Sequence, residues 1–197
     1  MADWLEKEME AAMRGVRQQH IDRILALGVQ MEPFCRLGMV QAQFGVMRVQ
    51  GLSGGLYQPD PEGVSSVIMP VVTPEYHDGV FGEAIILRPI VDLIAFQTNA
   101  PARWLWRTGN AWALGSHLLA GPTGEPTHIV ATPLEWMNAG GDAVCLLDWS
   151  DQSPAWAYLR TVPDLIVDND MLAARLAAGI DRATPRPRFI REARNAA

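Results

Sequence analysis

The chain has 197 residues, 49% of them hydrophobic, and a formal net charge of -6. That length suits one domain with a sizeable core, and high apolar content with modest charge excludes wholesale disorder. An acidic total also excludes a body that coats nucleic acid or grips a membrane through a polybasic face.

The charge is uneven. Residues 1–60 carry net -1, residues 61–181 net -9, and residues 182–197 net +4. The two cysteines, Cys35 and Cys145, have no neighbouring cysteine or histidine at ligand spacing, so neither a zinc site nor a disulfide framework is expected. Cys145 lies in the apolar run 143–147 and reads as a small buried hydrophobe. The opening Met1-Ala2-Asp3-Trp4 soon turns charged, and no apolar stretch approaches 18 residues. A soluble, cytoplasmic chain with no membrane partner is expected.

In chain order, Leu5, Met9, Met13, Val16, His20, Ile24 and Leu27 recur at steps of three and four. They predict one helix over 3–27, started by Asp3 and stopped by Gly28. A short helix is expected over 33–37, with Pro33 in its first turn. From residue 39 the period changes to two: Val40, Ala42, Phe44 and Val46 alternate with polar or small residues, as in a strand. Turn clusters follow at 53–55 and 59–63. Strands are expected over 67–72, 84–87, 90–96 and 104–106, with a polar turn at 74–79 and a break at Pro89, which cannot donate to a ladder. Residues 39–108 thus read as an antiparallel meander.

After Gly121-Pro122-Thr123-Gly124 the pattern becomes strand–helix alternation. Strands are expected over 127–131, 143–147 and 165–167. Helices are expected over 133–139, 153–160 and 170–178, the last stopped by Gly179. That order predicts a small parallel α/β layer. The whole reads as one α+β domain: a helical segment 1–38, an antiparallel region 39–121, a small α/β region 122–181, and a basic tail 182–197.

Three features can carry chemistry. Asp168 and Asp170, two residues apart at the end of a strand, face the edge where open α/β sheets place ligands. Oxygen ligands at that spacing suit Mg²⁺, and one of these acids capping the following helix is the simpler structural reading. Six of the seven tryptophans lie between residues 104 and 156. Trp104, Trp106 and Trp112, with Arg103 and Arg107, suit base stacking, a docked protein partner or copy, or the seam between two layers. The tail arginines Arg182, Arg186, Arg188, Arg191 and Arg194 suit phosphate contacts or partner docking.

The stretch Asp164–Ala178 resembles the last motif of Toprim domains of phage and plasmid primases, in which an Asp-x-Asp pair closes a strand before an Ala-rich helix. Ile68-Met69-Pro70-Val71-Val72 is similar to the small sheet that precedes such domains, Gly109–Gly115 to the connector, and His128-Ile129-Val130-Ala131-Thr132 to the first Toprim strand. The family places Glu-Gly after that strand. Here Thr132-Pro133 stands there, and Glu135 is the nearest acid. The resemblance implies a degenerate, non-catalytic relative with an accessory role in nucleic-acid processing in a phage or mobile element. An active form would use Glu135, Asp168 and Asp170 with Mg²⁺. The alternative is a non-catalytic protein that docks a partner through its Trp-rich face.

Overall fold

A computed structural model describes residues 3–78, 84–119 and 126–183; the expected 121/122 boundary and nearly all of the tail fall outside them. The N-terminal stripe forms two helices rather than one, α1 (Asp3–Arg14) and α2 (Gln18–Ala26). Gly15 lies so close to the Val46 carbonyl that a Cβ would overlap it, and Arg17 takes extended backbone (φ -131°, ψ 162°) as the N-cap of α2. The break sends the two halves of the stripe to different cores. Leu5, Met9 and Ala12 pack with Val49, Ile68 and Leu93, whereas Ile24 joins Phe34, Leu37 and Met69. Gly28 (φ +99°) follows the C-cap of α2 as expected. Then comes α3 (Met31–Gly38), longer than expected, with Gln30 as its N-cap.

The first strand, β1 (Gly45–Gly51), starts at Gly45 rather than Val40. The Val40 and Gln41 amides both donate to the Leu37 carbonyl, and Gln43 Nε2 donates to the Phe34 carbonyl at 2.6 Å. The segment is therefore tied to α3. Next come β2 (Tyr57–Pro59), β3 (Val64–Val72), β4 (Glu75–Asp78), β5 (Ala84–Leu87), β6 (Ile90–Phe96) and β7 (Trp104–Trp106). The polar turn expected at 74–79 is β4, paired with β5 as a separate two-stranded ribbon. Its first strand, Glu75-Tyr76-His77-Asp78, has no apolar alternation, so it left no period to detect. Pro89 separates β5 from β6, which belong to different sheets.

The remaining five strands form an antiparallel sheet of order β2-β1-β3-β6-β7. It departs from a simple meander because β2 folds back to the outer side of β1. Leu56, just before β2, bridges to Trp106 on β7. The sheet thus curls until its edges meet around α1. The close fit is made by Gly45, where a Cβ would overlap Ala12 of α1.

The second layer comprises β8 (Ala113–Leu114), β9 (Thr127–Val130), α4 (Pro133–Asn138), β10 (Val144–Leu146), α5 (Ala155–Leu159), β11 (Leu165–Val167) and α6 (Asp170–Arg182). Its sheet has the order β11-β9-β10-β8. The three strands expected to be parallel are parallel, and β8, which lacked a readable period, adds an antiparallel edge. The last helix runs through Gly179 instead of stopping there, because Gly179 is the point at which α6 lies against Trp156. One apolar cluster spans both sheets, joining Val67, Met69, Ile94 and Phe96 to Val130, Trp136, Cys145 and Leu147. The fold is α+β. Among the described residues no helix is long and apolar enough to cross a membrane.

Candidate functional site

The C-terminal ends of β9, β10 and β11 open onto the loops that start α4, α5 and α6. The α4 residues Leu134, Trp136 and Met137 pack on the sheet face that carries Val130 and Cys145. Trp156, Leu159, Leu172 and Leu176 of α5 and α6 pack on the face that carries Ile129 and Val144. Connections therefore leave β9 and its neighbours toward opposite faces, and the edge above β9 is where a ligand crevice is expected in such sheets.

The carboxylates at that edge have local structural duties. Glu135 turns back to accept from the Ala131 amide at 2.8 Å and the Thr132 amide at 3.0 Å. Thr132 Oγ1 accepts from the Glu135 amide in return, which makes a capping box with Pro133 at N1. Asp148 accepts from the Ser150 amide and hydroxyl. Asp168 meets His128 Nε2 at 3.1 Å. The cap of α6 is Asn169, which accepts from the Leu172 amide, not Asp168 or Asp170. Asp170 lies in the first turn, where the helix dipole favours an acid. Among the described residues no three His, Cys, Asp or Glu side chains come together as a metal site. Phosphoryl chemistry assisted by Mg²⁺ needs carboxylates converging on one ion. Glu135, held in its capping box, does not join Asp168 and Asp170 in a group of three.

The His128–Asp168 contact escaped sequence reasoning. Parallel register sets His128 opposite Ile166, so Asp168, two residues on, shares its sheet face. The signal was present as a period of two, but only strand pairing reveals it.

The tryptophans have separate duties rather than one shared face. Trp136 and Trp156 are buried, while Trp104, Trp106, Trp112 and Trp149 are half-buried. Trp106 Nε1 donates to the Ala111 carbonyl and Trp136 Nε1 to the Ala143 carbonyl. Trp112 stacks on Tyr158 at 5.3 Å between ring centroids. Arg107 is drawn inward: its Nε donates to Glu8 of α1 at 2.9 Å, and its guanidinium lies over Trp4 and Tyr57. The Tyr57 hydroxyl donates to the same Glu8. Burial first, and then Glu8, push the Tyr57 phenol far above its ordinary range. Arg103 remains exposed at the rim of a cavity in the five-stranded sheet.

A residue the sequence did not single out is Asp92. It is fully buried on β6 and accepts backbone N–H groups from Leu93, Thr108, Asn110 and Ala111 at 2.8–3.2 Å. These bonds hold the connection from β7 to β8, and so one sheet to the other.

The basic end of the chain starts on α6. Arg182 Nε donates to Asp151 at 3.0 Å. Arg175 stacks on the Trp149 ring at 3.6 Å. Its guanidinium is pulled below its ordinary range, chiefly by burial and then by the charge of Arg182. Arg186, Arg188, Arg191 and Arg194 lie outside the described residues.

No protein-family model, curated protein or solved structure matches this chain. Its chemistry is therefore read from its own side chains. Glu135 is engaged in a cap, Asp148 in a turn and Asp168 in a contact with His128. Arg175, in the middle of α6, lies over the Trp149 ring, and Arg182, at its end, is paired with Asp151.

Proposed function

We propose that the chain is a non-catalytic accessory protein of nucleic-acid processing, of the phage or mobile-element kind that the Toprim resemblance implies. It contacts single-stranded nucleic acid through the end of α6 and the basic segment that follows, and with both thiols free it works in the cytoplasm. The observation that carries this reading is Arg175, held over the Trp149 ring within the field of Arg182. The Arg175 charge attracts a polyanion, Arg182 adds to it where a phosphate displaces Asp151, and the arginine-on-indole ledge offers a face for a base. The net -9 of residues 61–181, to which Arg175 itself belongs, disfavours a strand over most of that stretch, whereas residues 182–197 carry net +4.

The test is retention of a fluorescent single-stranded oligonucleotide at rising salt. Each phosphate neutralised adds about 0.7 to the log–log salt slope on a single strand. Arg175→Ala with Arg182→Ala is expected to reduce that slope by about 1.4. No retention at low salt, or an unchanged slope in the double variant, overturns the reading. Adding Mg²⁺ is expected to leave the thermal midpoint unchanged.

A second reading, docking of a protein partner, is favoured by a separate observation. Met13, Met39 and Val40 are exposed at 47%, 80% and 47%, and a groove of about 290 Å³ beside them is floored by Pro70, Val72 and Ile90. A sedimentation measurement showing a concentration-dependent dimer that Val40→Asp abolishes would support it.

A further inference from the structure

We propose that the curled five-stranded sheet binds a small free carboxylic acid with an aromatic or branched apolar body, in the cavity at the end that α1 leaves uncovered. This site is separate from the α6 surface and does not depend on the nucleic-acid reading.

Strand pairing places Gly45, Met47, Val49 and Gly51 of β1 on one sheet face with Val64, Ser66 and Ile68 of β3, and Ile68 pairs with Ala95, which pairs with Leu105. At the Gly45 end α1 covers this face, with Ala12 on Gly45 and Leu5 and Met9 against Ile68 and Leu93. At the Gly51 end no helix among the described residues lines it. A cavity of about 370 Å³ lies there, within the range of small-molecule sites. Its floor is built from small residues, Gly51, Ser66 and Ala95, flanked by Val49, Val64 and Leu105. An uncovered sheet face that faced only water would alternate to polar residues, and this one stays apolar.

Two consecutive turns build the roof: the Ala100 amide donates to the Gln97 carbonyl, and the Arg103 amide to the Ala100 carbonyl. They set the Arg103 and Gln97 side chains at the rim. No acid among the described residues pairs with Arg103. The Ser66 hydroxyl is already committed to the Val64 carbonyl. The rim therefore offers one guanidinium fork, which matches a carboxylate, above an apolar floor that matches a ring or branched chain. The basic segment 182–197 has the same sign as Arg103, so charge argues against it as the occupant. The cavity lies over a sheet face rather than along an edge, so it offers no ladder for a peptide backbone.

The experiment is isothermal titration of the full chain with 2-naphthoate, its neutral carboxamide and N-acetylphenylalanine. The acid is expected to bind with a dissociation constant of roughly tens of micromolar, and the carboxamide about tenfold more weakly. Arg103→Gln is expected to remove that difference without changing the thermal midpoint, since the side chain is exposed. Val64→Trp, at a half-exposed rim position, is expected to block both ligands. N-acetylphenylalanine is expected to bind more weakly than naphthoate. Equal affinity for acid and amide, unchanged binding in both variants, or no heat at about 1 mM ligand would each overturn the assignment.

Discussion

Gly179 of α6 lies against the six-membered ring of Trp156 of α5, so close that a Cβ at position 179 would come within 2.6 Å of Cζ3 and 2.8 Å of Cζ2. Trp156 cannot retreat, because its Nε1 donates to the Ser150 carbonyl at 2.6 Å and Trp149 packs edge-on against it. Helix propensity alone favours alanine over glycine by about 1 kcal/mol inside a helix. The overlap reverses that sign. Gly179→Ala is expected to destabilise the protein by about 1–3 kcal/mol. Gly179→Ala combined with Trp156→Leu is expected to cost less than the two single changes together, as a double-mutant cycle by chemical denaturation would show.

Asp92 is the strongest polar anchor of the connection between the sheets. Asp92→Ala leaves the amides of Leu93, Thr108 and Ala111 without their side-chain acceptor beneath a partly exposed loop. A loss of about 3–5 kcal/mol is expected in urea unfolding. Asp92→Asn is expected to lose nearly as much, because an amide nitrogen would face N–H donors.

Glu135 distinguishes capping from catalysis. Glutamine serves the same position in a capping box. Glu135→Gln is therefore expected to leave stability almost unchanged, whereas Glu135→Ala or Thr132→Ala is expected to cost about 1 kcal/mol. Thermal denaturation of the three variants checks this. A Glu135→Gln loss as large as that of alanine would contradict the capping role.

Stability is expected to plateau between about pH 6.5 and 9. Burial raises the Cys145 thiol and the Tyr57 phenol well above their unfolded values of 9.0 and 10.0. The unfolded chain thus sheds these protons first, and stability falls as pH rises above 9 and again above 10. His117 moves the other way. Burial, and then Arg88, lower it below 6.5, and its Nδ1 finds no hydrogen-bond partner among the described residues. The unfolded chain takes up that proton first, so stability falls as pH drops below 6.5. Cys145→Ala and Tyr57→Phe are expected to flatten the alkaline limb, and His117→Asn the acid limb, in thermal midpoints measured against pH.

The elements with a strong period and a clear stop were legible in the sequence. β6, β7 and β11 lie at the expected residues because apolar runs, broken only by Asp92, are bounded by Pro89, by the turns after residue 96 and by Asp168-Asn169-Asp170. The strand–helix alternation after residue 126 also determined the parallel pairing of β9, β10 and β11, since such connections rarely fold another way.

Tertiary contact decided the rest. The stripe over 3–27 has one period, but its halves serve two cores, and only the approach of Gly15 to β1 shows where it breaks. Gly179 has the sequence signature of a helix stop, yet it is a packing glycine, because the side chain that requires it is 23 residues away in the chain. Asp92 sits in an apolar strand, and apart from the neighbouring Leu93 its donors lie 16–19 residues on. His128 and Asp168 meet only through parallel register. Propensity and period act over a turn or a few residues, so they determined which segments are helix or strand. Burial, capping and ion pairing join residues far apart in sequence, so which acids are structural and which arginines stay free was settled only by the folded chain.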